Sequence, residues 1–99
     1  MENSASIPES LKGVLWSKDI RNIDLAKDKV YLINQVLMYG NLDHLRWLFR
    51  IYSKVEVTKI FLESPLPIYT KPAFKFINDF ILGIRSGLPD PRRYVKSLY

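Results

Sequence analysis

From Asp24 to Glu63 the chain reads as three apolar stripes at helical spacing, joined by one or two residues of capping chemistry. Asp24 offers an N-cap, and Leu25, the Lys29 stem, Leu32, Val36 and Tyr39 follow three or four residues apart, with Ile33 and Leu37 widening the stripe. This spacing predicts an amphipathic helix over residues 25–39. Gly40 stands where a glycine in a left-handed turn ends a helix, and Asn41 can cap the next one at once. Leu42, Leu45, Trp47, Leu48, Phe49 and Tyr52 make that second helix apolar on more than one face, which marks it as central to the domain. Asp43 near its start and Arg50 near its end suit the helix dipole, and Arg46 and Arg50 lie one turn apart on a common strip. Ser53 and Glu56 form a capping box, behind which Val55, Val57, Ile60, Phe61 and Leu62 carry a third helix to about Glu63. Residues 55–58 favour a strand on propensity alone, and the cap outweighs that preference.

The flanks are weaker. Pro8 can open a short helix carrying Leu11, Val14 and Leu15, closed by Trp16 and weakened by Gly13. Pro65 and Pro67 break the chain after Glu63. Thr70 can cap a helix over 71–82, with Pro72 in its first turn, a buried stripe of Phe74, Ile77, Phe80 and Ile81, Phe76 alongside, and Gly83 as its stop. Asp90 and Pro91 begin a last short helix with Tyr94, Val95, Leu98 and Tyr99 apolar. The expected fold is all-α, a compact bundle of five to six short helices with sequential helices as spatial neighbours. A flexible N-terminus over 1–10, a helical domain over 11–83 and a basic C-terminal tail over 84–99 complete the expected organisation.

Composition narrows the function. The chain has 99 residues, 47% of them hydrophobic, which allows one small core that buries roughly 65% of the unfolded surface. With no Cys and one His, it has no disulfide scaffold, Cys-based zinc site, thiol catalysis or His-pair metal site. Glycine-rich phosphate-binding motifs are absent. Asp24 and Asp28, four residues apart, read as a cap beside Lys27 and Lys29 sooner than as a catalytic or metal pair. His44 reads as a surface or half-buried structural residue, since no partner for a general base is evident from the sequence. No enzyme activity, cofactor or metal is expected. No membrane-spanning stretch or signal peptide is evident, so the expected location is cytoplasmic.

The net charge of +5 is uneven: residues 1–52 hold seven Lys/Arg and six Asp/Glu (+1), and residues 53–99 hold eight and four (+4). A basic half suits an anionic partner, nucleic acid or an acidic protein surface, and equally an ordinary solvated face. The helices at 54–63 and 71–82 form a helix-turn-helix-like pair, with a connection longer than the usual three or four residues. Lys71, Lys75 and Asn78, at i, i+4 and i+7, with Arg92 and Arg93 in the tail, are the candidate DNA contacts. The thirteen aromatics mostly belong to the core, and a few are expected to stay exposed and line a partner groove.

Leu15, Trp16, Ser17 and Asp19, then Ile23 and Asp24, then Ile33, Val36, Leu37, Tyr39, Gly40, Leu42 and the run Leu45–Arg50 with Tyr52 make a recognisable pattern. It resembles a family of short, uncharacterised prokaryotic helical proteins, antitoxin-like and often encoded beside nucleotidyltransferase toxins, over roughly residues 15–83. The resemblance implies a setting and no catalytic mechanism. It points to a non-enzymatic binding protein that neutralises a partner toxin by protein–protein contact, with Arg46, Trp47 and Arg50 as candidate partner-binding residues. The alternatives are a DNA-binding transcriptional regulator and an oligomeric scaffold built from copies of this chain.

Overall fold

Side-chain caps set where the helices begin. Asn41 Oδ1 accepts from the His44 amide at 2.9 Å, Ser53 Oγ from the Glu56 amide at 3.1 Å and Thr70 Oγ1 from the Ala73 amide at 3.2 Å. Behind these caps run α2 (Leu42–Ile51), α3 (Lys54–Glu63) and α4 (Lys71–Phe76), preceded by α1 (Lys29–Tyr39). The structure is a computed structural model describing residues 7–16, 18–84 and 90–95. Short 3₁₀ turns occupy Glu9–Gly13, Ile20–Asn22 and Pro91–Arg93, and α4 continues as a wider π-type turn over Ile77–Ile81. Among the described residues there is no β-ladder, only an isolated parallel bridge between Tyr69 and Val95, and no helix is long and apolar enough to cross a membrane. Residues 1–6 of the expected flexible start lie outside the described residues, as do Arg85, Lys96, Leu98 and Tyr99.

The chain is therefore helical, with four α-helices among the described residues where five or six short helices were expected. The first expected helix is a short 3₁₀ segment over Glu9–Gly13, and the described part of the last one, residues 90–95, holds a 3₁₀ turn over Pro91–Arg93. The helix expected from residue 25 begins at Lys29. Ahead of it Asp24 Oδ1 accepts from the Ala26 and Lys27 amides at 2.8 and 2.9 Å, and Asp28 Oδ2 accepts from the Asp24 amide at 2.9 Å. The two carboxylates thus close a turn in front of α1. These backbone hydrogen bonds are the main reason both acids ionise below the usual carboxylate range.

α1, not α2, is the central helix. Its residues 32–37 are all buried, whereas α2 buries only His44, Trp47 and Leu48 and leaves Leu42 62% exposed. The reason is that α1 is covered on every side. α2 and α3 pack on it, the N-terminal segment lies across it, and the proline-broken connection wraps behind it. Its two fully enclosed amides serve that enclosure. Gln35 Nε2 donates to the Val14 carbonyl at 2.7 Å, and Asn34 Nδ2 donates to the Val30 and Ser64 carbonyls at 2.8 and 3.2 Å. Asn34 Oδ1 accepts from the Tyr69 hydroxyl at 2.6 Å and the Leu66 amide at 3.3 Å. Every polar atom of Asn34 is thereby satisfied in the core, and residues 64–69 are held to α1.

Phe61, Tyr69, Phe74 and Tyr94 make an aromatic cluster with ring centroids 4.6–6.0 Å apart. The Tyr94 hydroxyl donates to the Phe61 carbonyl at 2.6 Å, and the Tyr69 amide to the Tyr94 carbonyl at 2.9 Å. Residues 94 and 95 are thus part of the core.

Candidate protein-docking groove

The junction between α1 and α2 is built by contact. Gly40 ends α1 as expected, but with φ −74° and ψ 159° it is extended, not left-handed. What it supplies is room: a Cβ would stand 2.6 Å from the Val36 carbonyl oxygen and 3.0 Å from His44 Cβ. Among the described residues the left-handed glycine is Gly83, at φ +61°, where the second half of the α4 segment stops.

His44 sits behind that junction, 7% exposed. Its Nδ1 accepts from the Asn41 amide at 3.1 Å, completing a capping box with the Asn41 side chain, and its Nε2 lies 2.9 Å from Ser10 Oγ. The arrangement fits the tautomer protonated at Nε2. Both ring nitrogens are engaged, so His44 acts structurally: it caps α2 and pins the Glu9–Gly13 turn beside it.

That pinning creates a groove of about 890 Å³. Pro8 and Ser10 form one wall, α2 the floor, and Phe80 and Ile81 of the π-type turn the other wall. Leu42 and Phe80 are 62% and 77% exposed, and Phe80 pairs with Phe76 at a ring separation of 5.7 Å. Phe80 was expected in the buried stripe of its helix. It lies instead one turn beyond Phe76, which is itself about 200° round from Phe74, and shares Phe76's outward face.

The three candidate partner-binding residues meet here in different ways. Arg46 and Arg50 are exposed, one turn apart, on the groove. Arg46 Nη1 is 3.5 Å from Asp43 Oδ1, and Arg50 has no ion pair among the described residues. Trp47 is 3% exposed, which corrects its reading as an outward docking residue: its ring is part of the groove's foundation. Its indole N–H is buried without an acceptor among the described residues.

The candidate DNA contacts do not assemble in the same way. Lys71 and Lys75 are exposed on α4, with Lys75 Nζ 3.5 Å from Asp79 Oδ2. Asn78 is 5% exposed, which corrects its place on a solvated face: it is one turn beyond Phe74 and turns inward with it. Arg92 forks onto Asp90 at 2.9–3.2 Å, and that hydrogen-bonded pairing holds the Asp90 carboxyl below its usual range. Arg93 donates to the Leu62 and Glu63 carbonyls at 3.3 and 3.5 Å, so it caps the C-terminus of α3.

Ser10, Leu42 and Phe80 are the groove residues that sequence reasoning missed. The Phe76–Phe80 spacing, out of phase with Phe74, was a usable signal. Nothing local marked Ser10. No curated protein and no solved structure matches the chain significantly. A family model described as a family of unknown function matches residues 11–61, which includes α1, α2 and most of α3 but stops short of the stretch to 83. That match spans 51 of 99 residues, and the chain belongs to this family, DUF6922.

Proposed function

We propose that this chain is a non-enzymatic binding protein that works by covering a partner protein, in the manner of an antitoxin that neutralises its toxin in the cytoplasm. The observation that carries the reading is the groove, where exposed Leu42 and Phe80 flank two outward arginines on a rigidly capped helix. Apolar side chains left this open on so small a domain favour a protein partner. Co-expression with the product of the adjacent gene tests it. A stoichiometric complex that Phe80→Glu disrupts supports the reading. A folded chain with no affinity for that product overturns it.

A second reading, contact with DNA, draws on the exposure of Lys71 and Lys75. It loses Asn78 to the core, and Arg92 and Arg93 to contacts within the chain. Gel shifts at low salt with no retardation remove it.

A further inference from the structure

We infer that the partner segment seated in this groove is an acidic amphipathic helix, with carboxylates one turn apart flanking an apolar side chain. The inference rests on the proposed function and specifies its partner. Arg46 and Arg50 are on successive turns of α2, so their guanidinium groups are spaced to meet Asp or Glu side chains at i and i+4 of a helix laid alongside. Besides the cations, Leu42, Ile81 and Phe80 among the lining residues offer apolar contact. A helix about 10–12 Å across, bringing a Leu-sized side chain to Leu42 and Phe80, satisfies both requirements at once.

Other occupants fit less well. A nucleic acid would set its phosphates beside the Asp43 carboxylate on the rim, with two guanidinium groups as its only cationic contacts among the lining residues. A second copy of this chain, itself carrying a net charge of +5, would on balance bring like charge to the two arginines. The Arg50 guanidinium, without an ion pair among the described residues, is the group a carboxylate would engage most simply.

The test uses a fluorescein-labelled synthetic helical peptide of about 14 residues, roughly 21 Å long, with a leucine stripe flanked by glutamates. A twin carries lysine at every glutamate position. Anisotropy titrations against the full chain should show the acidic peptide binding at least tenfold more tightly than its twin. Arg46→Glu with Arg50→Glu should weaken the acidic peptide by about tenfold, as two partly screened ion pairs would, and restore binding of the lysine twin. Both arginines are exposed, and circular dichroism checks that the double variant keeps its helices. Leu42→Ser, which removes apolar contact without adding charge, should weaken the acidic peptide.

Equal binding of the two peptides, no binding of the acidic one, or indifference to the arginine reversals overturns the inference. Preferential binding of a single-stranded oligonucleotide at this groove overturns it as well. If the peptides fail while the adjacent gene's product still forms a complex sensitive to Phe80→Glu, the partner's chemistry is wrong and the binding function stands. If that complex also fails to form, the functional reading itself falls.

Discussion

Replacing Gly40 with alanine separates two accounts of the α1–α2 junction. At φ −74° and ψ 159° an alanine meets no torsional objection. Its Cβ, however, would lie 2.6 Å from the Val36 carbonyl oxygen, 3.0 Å from His44 Cβ and 3.1 Å from Val36 Cγ1. These distances fall inside the roughly 3.5 Å at which nonbonded carbon atoms reach favourable contact. The nearest atom belongs to the backbone of α1 and already accepts the Gly40 amide at 2.9 Å, so it cannot swing aside as a side-chain tip would. The junction has to open, which loosens the Asn41–His44 cap. Lower entropy in the unfolded chain favours the alanine by about 0.4–1 kcal/mol. Overpacking costs about 1–3 kcal/mol, and a weakened cap up to about 1 kcal/mol more. The net expectation is a loss of about 1–3 kcal/mol, or roughly 5–20 °C in Tm for a domain of this length. Thermal and urea unfolding followed by circular dichroism measure it. A Tm at or above that of the unaltered chain would refute the contact argument, since only the entropy effect would remain.

Asn34→Leu should destabilise by about 2–4 kcal/mol in urea unfolding, because it strands the Leu66 amide and the Ser64 carbonyl and leaves the Tyr69 hydroxyl only the long contact to the residue-34 carbonyl at 3.4 Å; a loss under about 1 kcal/mol contradicts the network. Trp47→Phe removes an indole N–H that has no acceptor among the described residues, so its cost should stay below about 1.5 kcal/mol despite the loss of ring volume, and a larger loss would show that the N–H is bonded. His44→Gln keeps a side chain able to close the capping box and should cost about 1 kcal/mol less than His44→Ala, a difference that equal denaturation midpoints would contradict. Burial raises the Tyr52, Tyr69 and Tyr94 hydroxyls above their ordinary value of 10, Tyr52 to about 12 with Glu56 adding to the effect. The folded state holds these protons longer than the unfolded one, so their contribution is complete below pH 10 and is lost as pH rises above it, for Tyr52 as pH climbs towards 12. Tyrosinate absorbance should therefore rise together with loss of helical ellipticity; ordinary titration near pH 10 with the helices intact would contradict it.

Local chemistry was legible in the sequence, and assembly much less so. Asn41, Ser53 and Thr70 cap the helices they were expected to cap, because each cap needs only its own amide three residues on. Gly40 was read as a stop for a conformational reason, and the actual reason is a steric one, created first by the Val36 carbonyl of α1 and then by His44 on the next helix. The central helix was misassigned because a stripe counts apolar residues and does not show what covers them. α1 hides two amides, Asn34 and Gln35, that find partners 21 to 35 residues away. Asn78 was misplaced by following a charge pattern, and Phe80 by extending an apolar stripe, in place of their phase relative to Phe74. The groove itself joins residues 8–10, 42–50 and 80–81, and no local window contains that juxtaposition.

Hydrogen–deuterium exchange on the complex of this chain with the adjacent gene's product tests the proposed docking surface most directly. New protection should appear over residues 42–50 and 76–81 and leave the exposed face of α3 unchanged. Protection confined to α3, to Lys71 and Lys75, or to the exposed Trp16–Tyr39 pair would place the partner elsewhere and contradict the account.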